Sequence, residues 1–183
     1  MKKFLATMAT AAILTVSAGA VSAARFSDVP SMHWAYSGVT AMADAKIIPP
    51  SKDGKFYGDR NITRSEMAQM SANLLLKLSP ESKAAAKKII KDFSENGDKA
   101  ATRFEIALML SEVYAKAHKG ELPAAPNAFA DVPAEHWAAE SVNLMAATKI
   151  MEGYDDETFR GDQRMTRYEA AITLAKLYKL LSA

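Results

Sequence analysis

The stretch FSDVPSMHWAYSGV, residues 26–39, returns 103 residues later as FADVPAEHWAAESV, residues 129–142. The correspondence continues without a gap nearly to the end of the chain, and 23 of the 53 positions aligned between residues 26–78 and 129–181 are identical. Identity of this extent within one chain indicates internal duplication. We therefore predict a fold built from repeats.

The motif Thr-Arg-x-Glu stands in the second half of each copy and occurs once more between the copies. It begins at Thr63, Thr102 and Thr166. Two periods in 103 residues make each repeat about 51 or 52 residues long, which suits one helix–loop–helix unit. Three repeats are therefore predicted. The middle one keeps its second half and carries SPESKAAAKKIIKDFSENGDKAA where the first block is expected.

Each complete repeat is typical of two helices joined by a turn-rich loop. The first helix is expected to begin after the Asp-Val-Pro turn and to end at Lys46-Ile47 or Lys149-Ile150. Its apolar stripe comprises Trp34, Val39, Met42 and Ala43 in the first copy, and Trp137, Val142, Met145 and Ala146 in the last. The following loop is dense in Pro, Gly, Asp and Asn, and its phenylalanine, Phe56 or Phe159, is expected to pin it to the core.

The second helix has a clear start signal. In Thr-Arg-x-Glu, the threonine hydroxyl can accept from the glutamate N–H while the glutamate carboxylate accepts from the threonine N–H, which forms a capping box. Apolar residues then recur at helical spacing, as at Met67, Met70, Leu74 and Leu78. Three such helices predict an all-α protein with a central three-helix bundle. Residues 79–93 are the candidate replacement for the missing first helix.

The N-terminus has the layout of a secretory signal peptide. MKK precedes a largely apolar stretch over residues 4–20 and the small residues VSAA, so cleavage is expected after Ala23 or Ala24. The alternative is an uncleaved anchor, which the Thr, Ser and Gly residues within the stretch disfavour. Without Lys2 and Lys3 the chain has 21 basic and 21 acidic residues, so no nucleic-acid surface is indicated. The absence of Cys excludes a lipoprotein anchor, disulfides and thiolate chemistry.

These features predict five segments. They are a signal peptide at 1–24, a first repeat at 25–78, a degenerate middle repeat at 79–118, a linker KGELPAAPNA at 119–128 and a last repeat at 129–183. The exported chain is expected at the cell envelope, in the periplasm or at the cell surface.

The blocks FxDVPxxHWA, GYxDxTFRGD and MTRYE, in this order and spacing, resemble the S-layer homology domain, which anchors surface proteins to bacterial cell walls. The resemblance covers two full copies and the carboxyl half of a third. The form FRGDQxxTRYE is especially similar to copies in outer-membrane proteins of diderm Firmicutes and cyanobacteria. The chain departs from the family pattern in its truncated middle repeat and at Pro49-Pro50, where the last copy has Glu152-Gly153.

The resemblance implies pseudo-threefold helical repeats that bind a secondary wall polymer or modified peptidoglycan non-covalently, in grooves between repeats. It implies no cofactor and no metal. The groove residues carried over to this chain are Arg64, Arg103, Arg167, Trp34, Trp137, Asp28, Asp131 and the backbone around Gly153. The last copy keeps Gly153, whereas the first has Pro50 at that position, so we expect Arg167 to contribute most to wall binding. The middle repeat lacks the Trp block, so we expect Arg103 to contribute least.

The arginine of the motif also indicates an anion site from physical chemistry alone. A cation in the first helical turn opposes the helix macrodipole and costs ~0.3–1 kcal/mol, yet this chain places one there three times. A helix N-terminus with an added guanidinium suits carboxylate or phosphate. The alternative is an internal salt bridge, for which Asp28 and Asp131 are the candidate partners.

Other interpretations remain open from the residues. The two tryptophans suit either a core position or a ligand platform. The histidines beside them, His33 and His136, suit packing or capping better than metal binding, and the acidic loops lack the spacing of a calcium loop. No nucleophile, zinc or phosphate-loop motif of an enzyme occurs, so we expect no catalysis. The alternative to wall binding is an envelope subunit whose repeats bind a protein partner or complete an oligomer.

Overall fold

Three capped helices form the centre of the computed structural model, which describes residues 26–49, 51–127 and 129–183. The predicted signal peptide and Pro50 lie outside the described residues. The helices are α1 (Tyr36–Asp44), α2 (Arg64–Leu78), α3 (Lys83–Asp92), α4 (Arg103–Ala117), α5 (Ala139–Ala147) and α6 (Arg167–Leu181). The described chain has no sheet, only single antiparallel bridges, so the predicted all-α class is confirmed.

The long helices α2, α4 and α6 begin where the motif predicts. Thr63, Thr102 and Thr166 are the N-caps, and each makes the reciprocal pair of hydrogen bonds with the glutamate three residues on. All three predicted capping boxes are therefore confirmed. They satisfy two of the backbone donors that a helix start would otherwise leave without partners.

The first helix of each complete repeat starts later than predicted. Two successive turns precede α1, because His33 N donates to the Pro30 carbonyl and Tyr36 N to the His33 carbonyl, at 2.8 and 2.9 Å. Trp34 lies in these turns, and both Trp34 and its equivalent Trp137, which precedes α5, are 61% exposed, so their predicted places on the buried stripes are wrong. The helix also ends earlier, at Asp44, because Lys46 has a left-handed backbone with φ 62° that cannot continue a helix.

Each short helix packs against one long helix. The pairs are α1 with α6, α3 with α2 and α5 with α4, while α2, α4 and α6 also contact one another. The apolar stripes predicted for the long helices face inward at Met67, Met70, Leu74, Ile106, Leu110, Val113, Leu174 and Leu177, all of which are buried. The helix α3 thus takes the packing position that the missing first helix of the middle repeat would hold, as predicted.

The loops between the paired helices are held to the core by single aromatic side chains. Phe56 and Phe159 are 1% and 0% exposed, which confirms their predicted role. Among the described residues, no helix is long and apolar enough to cross a membrane.

Candidate functional site

The N-termini of the long helices are closed by backbone from another repeat. Arg103 N donates to the Gln163 carbonyl at 2.9 Å and Phe104 N to the Gly161 carbonyl at 2.9 Å. The first two donors of α2 and α6 are paired in the same way with carbonyls of residues 97–99 and 58–60. Because the third donor binds the capping threonine, no early N–H remains for an anion. The backbone part of the predicted anion site is therefore wrong, whereas the binding of an anion by the arginine side chains stays a prediction.

The arginine side chain of each motif reaches the loop that follows in the next repeat. Arg103 donates through Nε to the Phe159 carbonyl at 2.9 Å and through Nη2 to the Glu152 carbonyl at 2.8 Å. Arg167 donates through Nε to the Phe56 carbonyl at 2.9 Å, so the last repeat faces the first. The grooves are thus built between repeats, in cyclic order.

Two of the three arginines are neutralised within the protein. Arg64 pairs with Glu105 and Arg167 with Glu66, each at 3.0 Å. An internal salt bridge was the alternative to ligand binding, and for these two residues it is present. Its candidate partners, Asp28 and Asp131, are wrong, because the carboxylate comes from the capping box of the next repeat.

Arg103 differs from its two equivalents. Within the residues that the structure describes, it forms no ion pair, although Glu169 is the capping-box carboxylate at the corresponding position. Burial lowers the pKa of Arg103, and the nearby carboxylates of Glu169 and Asp131 act in the opposite direction. The guanidinium contacts the Phe159 and Tyr154 rings, with centroids 4.5 and 5.4 Å from Cζ. It is therefore held in place by carbonyls and rings rather than by a carboxylate.

The aspartates of the first block fix the loop of their own repeat. The Asp131 carboxylate accepts from Phe159 N at 2.7 Å and from Arg160 N at 2.8 Å. Asp28 makes the same pair of bonds to residues 56 and 57. These bonds hold Arg160 in a left-handed conformation with φ 54°, which is uncommon for a residue with a side chain. Asp131 thus sets the position of the Phe159 carbonyl that Arg103 binds.

Both tryptophans lie on the surface in equivalent settings. Trp34 and Trp137 are each 61% exposed, and each has one ring edge against an aromatic of a neighbouring long helix. The partners are Tyr168 at 5.9 Å and Phe104 at 5.7 Å between ring centroids. The His33 ring lies in contact range of both Trp34 and Tyr168, with its centroid 4.2 Å from that of Tyr168 and 5.5 Å from that of Trp34, and its Nδ1 accepts from Ala35 N at 3.3 Å.

Gly153 has a packing role in the structure. A Cβ there would lie 2.2 Å from Phe129 Cε1 and 2.7 Å from the Thr158 carbonyl oxygen. Any side chain would therefore push the loop away from Phe129. The glycine allows the close approach that leaves the neighbouring Glu152 carbonyl in reach of Arg103.

Trp34 and Arg103 line one groove, which we call the Trp34 groove. Its volume is about 240 Å³, and it lies between the start of the first repeat, α6 and the loop of the last repeat. Its lining residues are Trp34, Arg103, Ile150, Met151, Glu152, Met165, Glu169, Ile172, Thr173 and Lys176. The arginine beside Gly153 is thus Arg103 and not Arg167, so the reasoning that ranked Arg167 first and Arg103 last is wrong. It assumed that each arginine serves its own repeat.

A second groove of about 620 Å³, the Tyr57 groove, surrounds Arg167 and the loop of the first repeat. Arg60 and Arg167 both bind Glu66 there. Burial raises the pKa of Glu66, but Arg60, Thr63 N–H and Arg167 outweigh it and lower that pKa to about 2. The carboxylate is thus ionised and already holds both guanidinium groups.

Sequence reasoning missed several residues of these grooves. Glu169, Thr173 and Lys176 lie at helical spacing on α6, so the pattern that places Glu169 at the cap also places Lys176 on the same face. Residues 51–60 supply Lys52, Lys55 and Arg60 to the Tyr57 groove. In the described part of the chain, no group of three His, Asp or Glu residues could hold a metal ion.

Comparison with known proteins identifies what this chain is similar to. The S-layer homology domain model matches residues 25–68 and 128–171. Outer membrane protein SlpA of Thermus thermophilus is 51% identical over 49 residues, which are 27% of this chain and 5% of that protein. The S-layer protein of Bacillus thuringiensis subsp. finitimus is 27% identical over 97% of this chain and 24% of its own length. The cellulosome-anchoring protein of Acetivibrio thermocellus is 25% identical, over 86% of this chain and 27% of its length.

The chain therefore spans between 5% and 27% of the length of these relatives. The relatives called outer membrane protein SlpA come from Thermus and Deinococcus. The narrower likeness to proteins of diderm Firmicutes and cyanobacteria stays a prediction.

Proposed function

Because the S-layer homology domain model matches residues 25–68 and 128–171, we propose that the chain binds the bacterial cell wall non-covalently and has an anchoring or structural role at the cell envelope. The ligand class is an anionic secondary wall polymer or a modified peptidoglycan, and the chain contributes binding rather than catalysis. The names of the relatives support this role, since they are an outer membrane protein, an S-layer protein and a cellulosome-anchoring protein.

The observation that carries the proposal is Arg103 in the Trp34 groove. Its guanidinium is partly buried and, among the described residues, without a carboxylate partner, whereas Arg64 and Arg167 each have one. Partly buried charges are costly unless they are paired, so an acid group of a ligand would offset this cost. Guanidinium binds carboxylate and phosphate with good geometry. The exposed indole of Trp34 adds apolar contact area at the same place.

The other predicted site residues have different parts in the proposal. Asp131 and Gly153 shape the loop whose carbonyls hold Arg103, and Asp28 does the same in the first repeat. Arg64 and Arg167 already have carboxylate partners, so a ligand would have to displace these to bind them. Trp137 offers an exposed ring beside Phe104 of α4.

We propose that the protein is exported and that residues 1–24 are removed. The repeats at 25–78, 79–118 and 129–183, with the linker at 119–128, act as one binding unit. The packing of α3 on α2 and of α5 on α4 supports this, because the middle segment shares helix contacts with the outer repeats.

A second candidate is an envelope subunit that binds a protein partner or itself. A groove of about 440 Å³ between α2 and α3 favours it. Leu76 and Ile90, which line this groove, are each more than one third exposed, and Lys83 and Lys87 lie at its edge. Partly exposed apolar side chains that cluster in a groove are typical of interaction surfaces.

Co-sedimentation with sacculi of the source organism separates the two candidates. The purified protein is expected to pellet with native sacculi, without any added protein, and to stay in solution after acid has stripped the wall polymers. Trp34→Ala is expected to weaken pelleting at least about tenfold, and Met32→Ala, at an exposed position of the same segment, is the control. Pelleting that requires an added envelope protein extract would support the partner-binding subunit instead.

A further inference from the structure

The Trp34 groove contains two cations and two carboxylates, Arg103 and Lys176 with Glu152 and Glu169. The two carboxylates differ in how many contacts hold their side chains in place. Glu169 accepts from Thr166 N at 2.7 Å and from the Thr166 hydroxyl at 3.0 Å, so its side chain is bound in the capping box. Among the described residues, the Glu152 side chain is held only by its ion pair with Lys176, at 3.2 Å.

The Glu152–Lys176 pair joins the loop of the last repeat to α6 across the groove. The side chains are 66% and 45% exposed, and ion pairs at such exposure contribute little free energy. The Glu152 backbone is held independently, because its carbonyl accepts from Arg103 at 2.8 Å. The Glu152 side chain can therefore leave Lys176 at low cost while the loop stays in place.

The first repeat lacks both members of this pair. Pro49 stands at the position of Glu152 and Asn73 at that of Lys176. Asn73 donates to the Ile47 carbonyl at 3.0 Å and so fastens the loop without an ion pair. The charged pair is thus a property of the Trp34 groove, where Arg103 has no carboxylate partner among the described residues, and not a requirement of the repeat fold.

We propose that Glu152 is an internal competitor for the ligand of the Trp34 groove. An acid group of the ligand displaces the Glu152 carboxylate from Lys176, and Lys176 then acts as a second cation beside Arg103. This inference rests on the proposed wall-binding function. It restricts the class of ligand to molecules with at least two negative charges in one unit. That unit must fit a groove of about 240 Å³. Because that volume is below the roughly 300–1,000 Å³ of usual ligand pockets, the groove takes one short unit of a polymer.

The test compares the affinity for native sacculi of Glu152→Gln, Lys176→Gln and the double variant. Glu152→Gln removes the competitor and should tighten binding to sacculi about twofold to fivefold, because an exposed ion pair contributes that much free energy. Lys176→Gln removes the second cation and should weaken binding to sacculi about tenfold, as expected for the loss of a charge-assisted contact. In the Lys176→Gln background the gain from Glu152→Gln should shrink, since no pair remains to be broken.

Two exposed residues serve as matched controls. Lys179→Gln removes a lysine one turn further along α6, and Asp155→Asn removes an acid from the same loop, and neither should change the affinity. Equal or weaker binding by Glu152→Gln, together with unchanged binding by Lys176→Gln, would overturn the internal-competitor proposal and leave wall binding intact. If the parent protein does not pellet with sacculi at all, both proposals fail.

Discussion

Replacement of Asp131 by Ala tests whether the first-block aspartate builds the Trp34 groove. Its carboxylate accepts from two backbone donors, Phe159 N at 2.7 Å and Arg160 N at 2.8 Å. A charge-assisted hydrogen bond contributes about 1.5–3 kcal/mol when buried, and less when water can replace it. The Phe159 bond is partly buried whereas the Arg160 bond is exposed. We therefore expect a loss of about 2–3 kcal/mol in the free energy of unfolding.

For a domain of this size, 1 kcal/mol corresponds to roughly 2–4 °C in Tm, so Asp131→Ala should lower Tm by roughly 4–12 °C. Asp131→Asn keeps one acceptor and should lose about half as much. At a temperature where the variant is folded, affinity for sacculi should also fall, because the Phe159 carbonyl that holds Arg103 is no longer fixed.

Thermal unfolding followed by circular dichroism measures the first effect and co-sedimentation the second. Asp155→Ala is the control, since Asp155 is exposed in the same loop. A Tm within about 1 °C of the parent protein would refute the role assigned to the two hydrogen bonds.

Three other predictions concern the arginines and caps. Arg167→Gln should lower the free energy of unfolding by about 1.5–3 kcal/mol, because Arg167 is only 9% exposed and the variant removes its ion pair with Glu66. Denaturant unfolding measures this, and an unchanged midpoint would contradict it. The pKa of Glu66 is lowered from 4.5 to about 2, so its contribution to stability is full above about pH 4.5 and is lost as pH falls towards 2. Glu66→Gln should accordingly reduce the acid sensitivity of Tm, and an identical pH profile would argue against the pair. Thr166→Ala should lower the free energy of unfolding by about 0.5–2 kcal/mol, because the helix cap is lost, and binding to sacculi should remain measurable at low temperature. If the free energy of binding fell by more than the free energy of unfolding, the threonine would have a role beyond structure.

Local features of the fold could be predicted from the sequence. The capping box needs only a threonine and a glutamate three residues apart, and the apolar stripe needs only helical spacing, so α2, α4 and α6 were predictable from short segments. Residues 79–93 were also predictable as a helix, although no part of them resembles the first block. The predicted place of Trp34 on the stripe was wrong because Trp34 lies in the two consecutive turns that precede α1, and a residue in a turn does not follow the helical stripe.

The geometry of the grooves could not be predicted in the same way. Arg103 binds carbonyls 49 and 56 residues further along the chain, and Arg167 binds one 111 residues before it. Nothing in a local pattern shows that each arginine faces the loop of the next repeat. The same is true of the ion pairs, since the capping glutamate that neutralises Arg64 belongs to another repeat. Long-range packing therefore decided which arginine has no carboxylate partner among the described residues.

The affinity of Arg103→Gln for native sacculi tests the central claim most directly, with Arg64→Gln measured beside it. Arg103 and Arg64 occupy the same helical position, but Arg64 is paired with Glu105 whereas Arg103 faces the Trp34 groove. We predict that Arg103→Gln weakens wall binding about tenfold or more and that Arg64→Gln changes mainly the stability. Unchanged sacculus affinity in folded Arg103→Gln, or an equal loss in both variants, would contradict it.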